Sequence, residues 1–121
     1  MKNRRGVSIG RERFEKLVEE TVARLPRRFR KYLKNIAIMV EDRSPRGSGL
    51  LGLYHGVPLE HRGPYYGNVA PDVIVIYRRP IENISSTEDE IRTQIRDTVL
   101  HEIGHFFGLD EAELREIEND D

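Results

Sequence analysis

The stretch from Asp89 to Gly108, DEIRTQIRDTVLHEIGHFFG, constrains the fold more than any other part of the chain. Its apolar side chains recur at spacings of three and four residues, which is typical of a helix with one buried face. They are Ile91, Ile95, Val99, Ile103 and Phe106. Thr87 followed by Glu90 predicts a capping box at the start of this helix, and Gly108 predicts its end. We therefore expect a long helix with one face against the core.

This helix contains the pentapeptide His101-Glu102-Ile103-Gly104-His105, an H-E-x-x-H pattern. Residues four apart lie on one face of a helix, so both imidazoles can bind the same metal ion. Glu102 is turned about 100° from His101 around the helix axis, so it can reach a water molecule on that ion. The pattern predicts His101 and His105 as metal ligands and Glu102 as a catalytic general base. The alternative is a structural helix that carries two histidines by chance.

A third ligand is expected shortly after Gly108, where the chain can turn back toward the metal. Glu111 lies three residues beyond this glycine, and carboxylate oxygen is an accepted zinc ligand. Asp110 is a competitor, but Asp110 and Glu113 predict a capping box that opens a short helix over about residues 111–118. A capping aspartate is engaged with backbone amides, so Glu111 is the preferred third ligand. Asp110, Glu113 and the absence of a third protein ligand stay open as alternatives.

Length and composition limit the classes of protein that this chain can represent. With 121 residues and 37% apolar content, we expect one domain over residues 1–121. Charged residues make up 34% and the formal net charge is −1, which favours neither nucleic acid nor a membrane surface as a partner. Because no cysteine is present, a metal must be held by histidine and carboxylate. The N-terminus lacks an apolar run, so we expect a cytoplasmic protein.

The order of the remaining patterns predicts an α+β fold with a short sheet of three or four strands packed against helices. Two predicted helical segments come first, Arg11–Leu25, ended by Pro26, and Arg27–Lys34. Branched apolar runs predict buried strands at Ile36–Val40 and Val73–Tyr77. Gly49–Glu60 is interpreted as a strand or hairpin, either ordinary or with an edge that pairs with an extended substrate. The predicted connections are Glu41–Ser48, His61–Ala70, and Arg78–Ser86 with Pro80 in it.

The stretch HEIGHFFGL, together with LLGLYHGVPL and DVIVIYRRP before it, resembles the small zincin-like metallopeptidase family. The resemblance extends over nearly the whole chain, from the Phe14–Pro26 helix to Leu114. It implies a minimal zincin fold, with a short sheet over the H-E-x-x-H helix. It also implies metal ligation by His101 and His105 and catalysis by Glu102. Family members usually have an acidic residue, often aspartate, at the position of Glu111.

From the pattern and the resemblance together, we expect a peptidase that uses Zn²⁺ and acts on a peptide or protein substrate. Groups that could stabilise a developing oxyanion are Tyr54, His55, His61, Tyr65 and Tyr66. Asp97, one turn before His101, is a weaker candidate for orienting the ring of that histidine. The alternative function is a metal-binding but catalytically idle interaction domain. No sequence pattern indicates the oligomeric state.

Overall fold

Five α-helices and three β-strands are present in the residues that this computed structural model describes, namely 6–47, 49–56 and 72–119. The helices are α1 (Arg11–Ala23), α2 (Arg27–Arg30), α3 (Arg78–Asn83), α4 (Glu88–Phe107) and α5 (Glu111–Asn119). The strands are β1 (Ile36–Glu41), β2 (Gly52–His55) and β3 (Asp72–Tyr77), and a 3₁₀ turn covers Lys31–Leu33. The expected α+β class is confirmed. The predicted loop over residues 61–70 and the end of the predicted hairpin, residues 57–60, lie outside the described residues.

The three described strands form one mixed sheet in the order β1-β3-β2. β3 pairs in parallel with β1 along its whole length and antiparallel with β2. Central β3 is almost entirely buried, as its VIVIY run predicts. The prediction of a buried strand at Ile36–Val40 is correct for the strand but wrong for its burial. β1 has no strand beyond it among the described residues, so Val40 is buried while Met39 is 47% exposed.

Helices α1 and α4 enclose the core together with β3. The predicted stripe of α4 is buried from Ile91 to Ile103, and Phe106 at its end is half-buried. Each fully buried aliphatic or aromatic side chain contributes about 1.5–3 kcal/mol relative to its exposed state. The other main contributors are Phe14 and Leu17 of α1 and Ile74 and Ile76 of β3. Within the described ranges, no helix has both the length and the apolar character needed to cross a membrane.

Helix α3 occupies part of the segment that the sequence predicts to be an irregular connection. Pro80 suggests a break in that segment, but it is the third residue of α3. Amide groups in the first turn of a helix have no partner within the helix, so proline removes no hydrogen bond there. The helix also carries a buried ion pair, in which Arg78 Nη1 lies 3.1 Å from Glu82 Oε1. The prediction of a connection over Arg78–Ser86 is therefore wrong for residues 78–83, which form α3.

Both ends of α4 are fixed by the residues that the sequence indicates. Thr87 accepts a hydrogen bond from the Glu90 amide at 3.1 Å, and the Glu90 carboxylate accepts one from the Ser86 amide. At the other end, Gly108 adopts the left-handed conformation with φ 71°. The Leu109 amide then bonds the carbonyl of Gly104 at 2.8 Å, which completes a Schellman motif. The chain turns there at once into α5.

Candidate metal centre

His101 and His105 lie on the exposed face of α4, one helical turn apart. The two ring centroids are 6.1 Å apart and the ring planes are nearly perpendicular, at 85°. Nδ1 of His101 lies 3.3 Å from the backbone carbonyl oxygen of Asp97. When Nδ1 carries the proton and donates it to this carbonyl, Nε2 presents its lone pair outward, as a metal ligand must. In that tautomer the backbone carbonyl of Asp97 holds the ring of His101 in this orientation.

Glu111 is the first residue of α5 and faces His101. Its Oε2 lies 3.5 Å from Nε2 of His101. Asp110 and Glu113 form the predicted capping box, since each side chain accepts the other residue's amide at 2.8–2.9 Å. Asp110 is therefore engaged with the start of α5, as the spacing predicts. Of the acidic residues considered as third ligand, Glu111 is the one for which the structure records a contact with a histidine of the motif.

The position of α5 on α4 depends on Gly104. A Cβ atom at this position would lie 2.8 Å from Cδ1 of Leu114, closer than real contacts allow. Leu114 therefore packs directly over the backbone of α4 at Gly104. Glycine inside a helix is unfavourable by about 1 kcal/mol relative to alanine, so Gly104 is the sequence signal for this close approach.

Glu102 points toward β2 and is half-buried. Its Oε1 accepts a hydrogen bond from the backbone amide of Tyr54 at 2.9 Å. The close approach of β2 to α4 requires Gly52, because a Cβ atom there would lie 2.4 Å from Cγ2 of Thr98. The glutamate of the motif is thus held by the backbone of β2, which is an edge strand among the described residues. This contact depends on tertiary structure and has no signal in the sequence.

Tyr54 connects three parts of the site. Its ring stacks on Phe106 of α4 with a centroid distance of 4.4 Å, and its hydroxyl donates to the buried carboxylate of Asp72 at 2.5 Å. The hydroxyl is therefore engaged in positioning β2, which argues against the oxyanion role considered from the sequence. His55 is exposed at the end of β2. His61, Tyr65 and Tyr66, the other oxyanion candidates, lie outside the described residues.

A cleft of about 210 Å³ opens beside His101, between α4 and α5. Leu100 and Leu114 form its apolar part. Asp97, Glu111 and Arg115 supply its charged part. The cleft has room for a side chain or a few water molecules next to the imidazole, so His101 and Glu111 are accessible to an ion and to a small substrate group.

The donor atoms suit zinc in their chemistry, but their side chains are not all turned toward one point. Among the described residues, no group of three or more His, Asp or Glu side chains converges so that it could hold a metal ion. Two ligands of a tetrahedral zinc ion lie about 3.4 Å apart, close to the observed separation between His101 Nε2 and Glu111 Oε2. Two imidazole rings on one such ion lie about 5 Å apart, so His105 has to turn inward to join them. Because His105 is exposed, packing does not oppose this rotation.

The fold and the position of the motif are those of a zincin, in which a short sheet lies beside an H-E-x-x-H helix. The sequence profile of the zincin-like metallopeptidase family matches residues 33–120. The chain belongs to this family, as the resemblance implies. The family description suggests a hydrolase that cleaves peptide bonds with a bound metal.

One solved structure similar to this chain is that of a conserved hypothetical protein from Thermus thermophilus. The two share 24% sequence identity and superimpose with a TM-score of 0.54. The match covers 80% of this chain and 92% of the other. A likeness at this level of identity supports the fold and carries no information about activity. No curated protein matches the chain significantly.

Proposed function

We propose that the protein is a zinc-dependent metallopeptidase whose metal ligands are His101, His105 and Glu111. The observation that carries the proposal is the 3.5 Å separation between His101 Nε2 and Glu111 Oε2, on two different helices. This is the spacing of two corners of a tetrahedral zinc site. Zinc held there would supply Lewis acidity at the scissile carbonyl and lower the pKa of a bound water molecule.

In this proposal Glu102 is the general base. Oε1 accepts the Tyr54 amide, so the carboxylate is held in one orientation, and Oε2 is the oxygen that takes the proton from the attacking water. The same atom then passes the proton to the leaving amine. Tyr54 keeps β2 against α4 through its ring and against β3 through its hydroxyl. The substrate class that we propose is a peptide or protein, because hydrolysis of peptide bonds is what the family description suggests.

The test combines metal analysis with a peptide-library assay on protein purified without chelator or nickel resin. We expect about one zinc per chain, as one three-ligand site requires. Glu102→Gln should retain zinc, because glutamine can still accept the Tyr54 amide, and should lose hydrolysis by about 10²–10⁴-fold. Glu19→Gln, the same change on the exposed side of α1, is the matched control and should retain both. A folded chain that takes up no zinc would contradict the proposal.

One observation favours a second candidate, a metal-binding domain without catalysis. The Tyr54 amide that holds Glu102 belongs to the backbone of β2, and a carboxylate bound in this way is engaged before any substrate arrives. A chain that binds zinc stoichiometrically but cleaves no peptide, with parent and Glu102→Gln equally inactive, would support this candidate over the peptidase.

A further inference from the structure

The two carboxylate oxygens of Glu111 face different partners. Oε2 lies 3.5 Å from Nε2 of His101, and Oε1 lies 3.3 Å from the guanidinium of Arg115, one turn further along α5. Residues at i and i+4 on a helix are neighbours, so α5 itself brings Arg115 to Glu111. One oxygen thus points to the proposed metal site and the other is occupied by a cation.

The position of α5 brings both partners of this contact to the cleft. Leu114 packs over Gly104, and the Asp110–Glu113 capping box fixes the first turn. Arg115 follows Leu114 directly, and its side chain lines the same cleft as His101. The guanidinium therefore lies on the cleft side of α5, next to the carboxylate.

The number of carboxylate oxygens on the metal decides whether a water position stays open. A catalytic zinc site has three protein ligand atoms and one position for water. A carboxylate that binds through both oxygens adds a ligand atom and competes with that water. Residues that hydrogen-bond to a metal ligand and fix its orientation commonly contribute about 10–100-fold to metal affinity or activity.

We propose that Arg115 is a positioning residue that restricts Glu111 to binding a metal through Oε2 alone. This inference rests on the proposed zinc site. By holding Oε1, the guanidinium would leave Oε2 as the single Glu111 oxygen offered to a metal, so that one position could remain for water. Lysine at this position retains the charge and can donate to Oε1, although it lacks the planar fork of arginine. Methionine retains the length and the helix propensity but has no donor.

The test is the visible absorption spectrum of the Co²⁺-loaded protein, which reports the number and geometry of ligand atoms. In Arg115→Met we expect weaker absorption than in the parent, because a further ligand atom joins the ion and the coordination number rises. Arg115→Lys should restore most of the parent spectrum. Arg43→Met removes the same charge from an exposed loop and should leave the spectrum unchanged. Circular dichroism checks that each variant is folded.

The outcomes separate this inference from the proposed function. If the parent chain takes up no Co²⁺, the zinc site and the role of Arg115 are both wrong. If the parent is loaded but Arg115→Met has the same spectrum, only the role of Arg115 is wrong. Equal losses in Arg43→Met and Arg115→Met would show a general charge effect and would also overturn it.

Discussion

Gly104 is the residue on which the distance between α4 and α5 depends. In Gly104→Ala, the new methyl group would meet Leu114 Cδ1 at 2.8 Å, so Leu114 has to move and α5 shifts with it. We expect zinc affinity to fall about tenfold, because Glu111 shifts relative to His101. The free energy of unfolding should change by less than about 1 kcal/mol, since the better helix propensity of alanine offsets the packing strain. Chelator competition and urea unfolding measure the two quantities.

Leu114→Ala provides the second half of a double-mutant cycle for this prediction. Once the leucine is truncated, Gly104→Ala has nothing to displace, so its effect on zinc affinity should disappear. Gly47→Ala is the matched control, because no atom lies within 4 Å of the position that its Cβ would take. If Gly104→Ala lowers the affinity equally in the parent and in the Leu114→Ala background, the steric explanation is ruled out.

At the scale of single residues, the sequence predicts local geometry but not tertiary partners. The common face of His101 and His105 follows from helical spacing alone, and so does the capping role of Asp110. Tyr54, by contrast, reaches Glu102 from a strand 48 positions away in sequence. No local sequence pattern predicts a contact between residues so far apart in the chain. The identity of the three metal ligands stays a prediction that the zinc analysis tests.

Among the elements, the contact between β2 and α4 is the closest to Glu102, the glutamate of the H-E-x-x-H motif. In Gly52→Ala the new Cβ would lie 2.4 Å from Cγ2 of Thr98 and 3.1 Å from the Val75 carbonyl oxygen. Thr98 is buried and β-branched, so it has little freedom to rotate away. We expect a loss of about 1–3 kcal/mol in the free energy of unfolding, measured in urea.

Thr98→Ser tests the reason for that loss, because it removes Cγ2 and retains the hydroxyl. In the Gly52→Ala background it should recover part of the stability, whereas in the parent it should cost stability by leaving a gap. Recovery in the double variant identifies the methyl group as the obstacle. Equal stability of Gly52→Ala and the parent would mean that β2 does not approach α4 as closely as described.

The predicted elements show which physical signals a sequence carries. The ends of α4 were predicted from Thr87 and Gly108 because capping is a local interaction. Helix α3 was not predicted, and its Pro80 lies in the first turn, where proline removes no hydrogen bond. The exposure of β1 was missed because an apolar run does not specify whether its strand lies in the centre or at the edge of a sheet.

At the scale of the whole molecule, α1 and α4 are joined by an ion pair between Arg13 of α1 and Glu88 of α4. The two side chains approach to 2.8 Å. The hydrogen bond from Arg13 lowers the pKa of Glu88 below its ordinary value of 4.5. A carboxylate whose pKa is lower in the folded state stabilises the fold above its unfolded pKa. This contribution is lost as the pH falls through the folded pKa.

We therefore expect Glu88→Gln to lower the Tm at pH 7, with a difference from the parent that shrinks as the pH falls below about 4.5. The difference should also shrink in high salt, because both side chains are partly exposed and solvent screens the pair. Arg13→Met should add little in the Glu88→Gln background. A Tm difference that stays constant between pH 7 and pH 3 would contradict this account.

The arrangement of the sheet has a consequence for the speed of folding. Both described ladders run along β3, the last of the three strands in chain order, so β1 and β2 do not pair with each other. Ile36 pairs with Asp72, far along the chain, and every such long-range closure has to overcome loop entropy before it gains hydrogen bonds. The sheet therefore forms only when β3 pairs with β1 and β2. Substitutions in that strand should slow folding, whereas those in α5, formed from local contacts, should mainly speed unfolding.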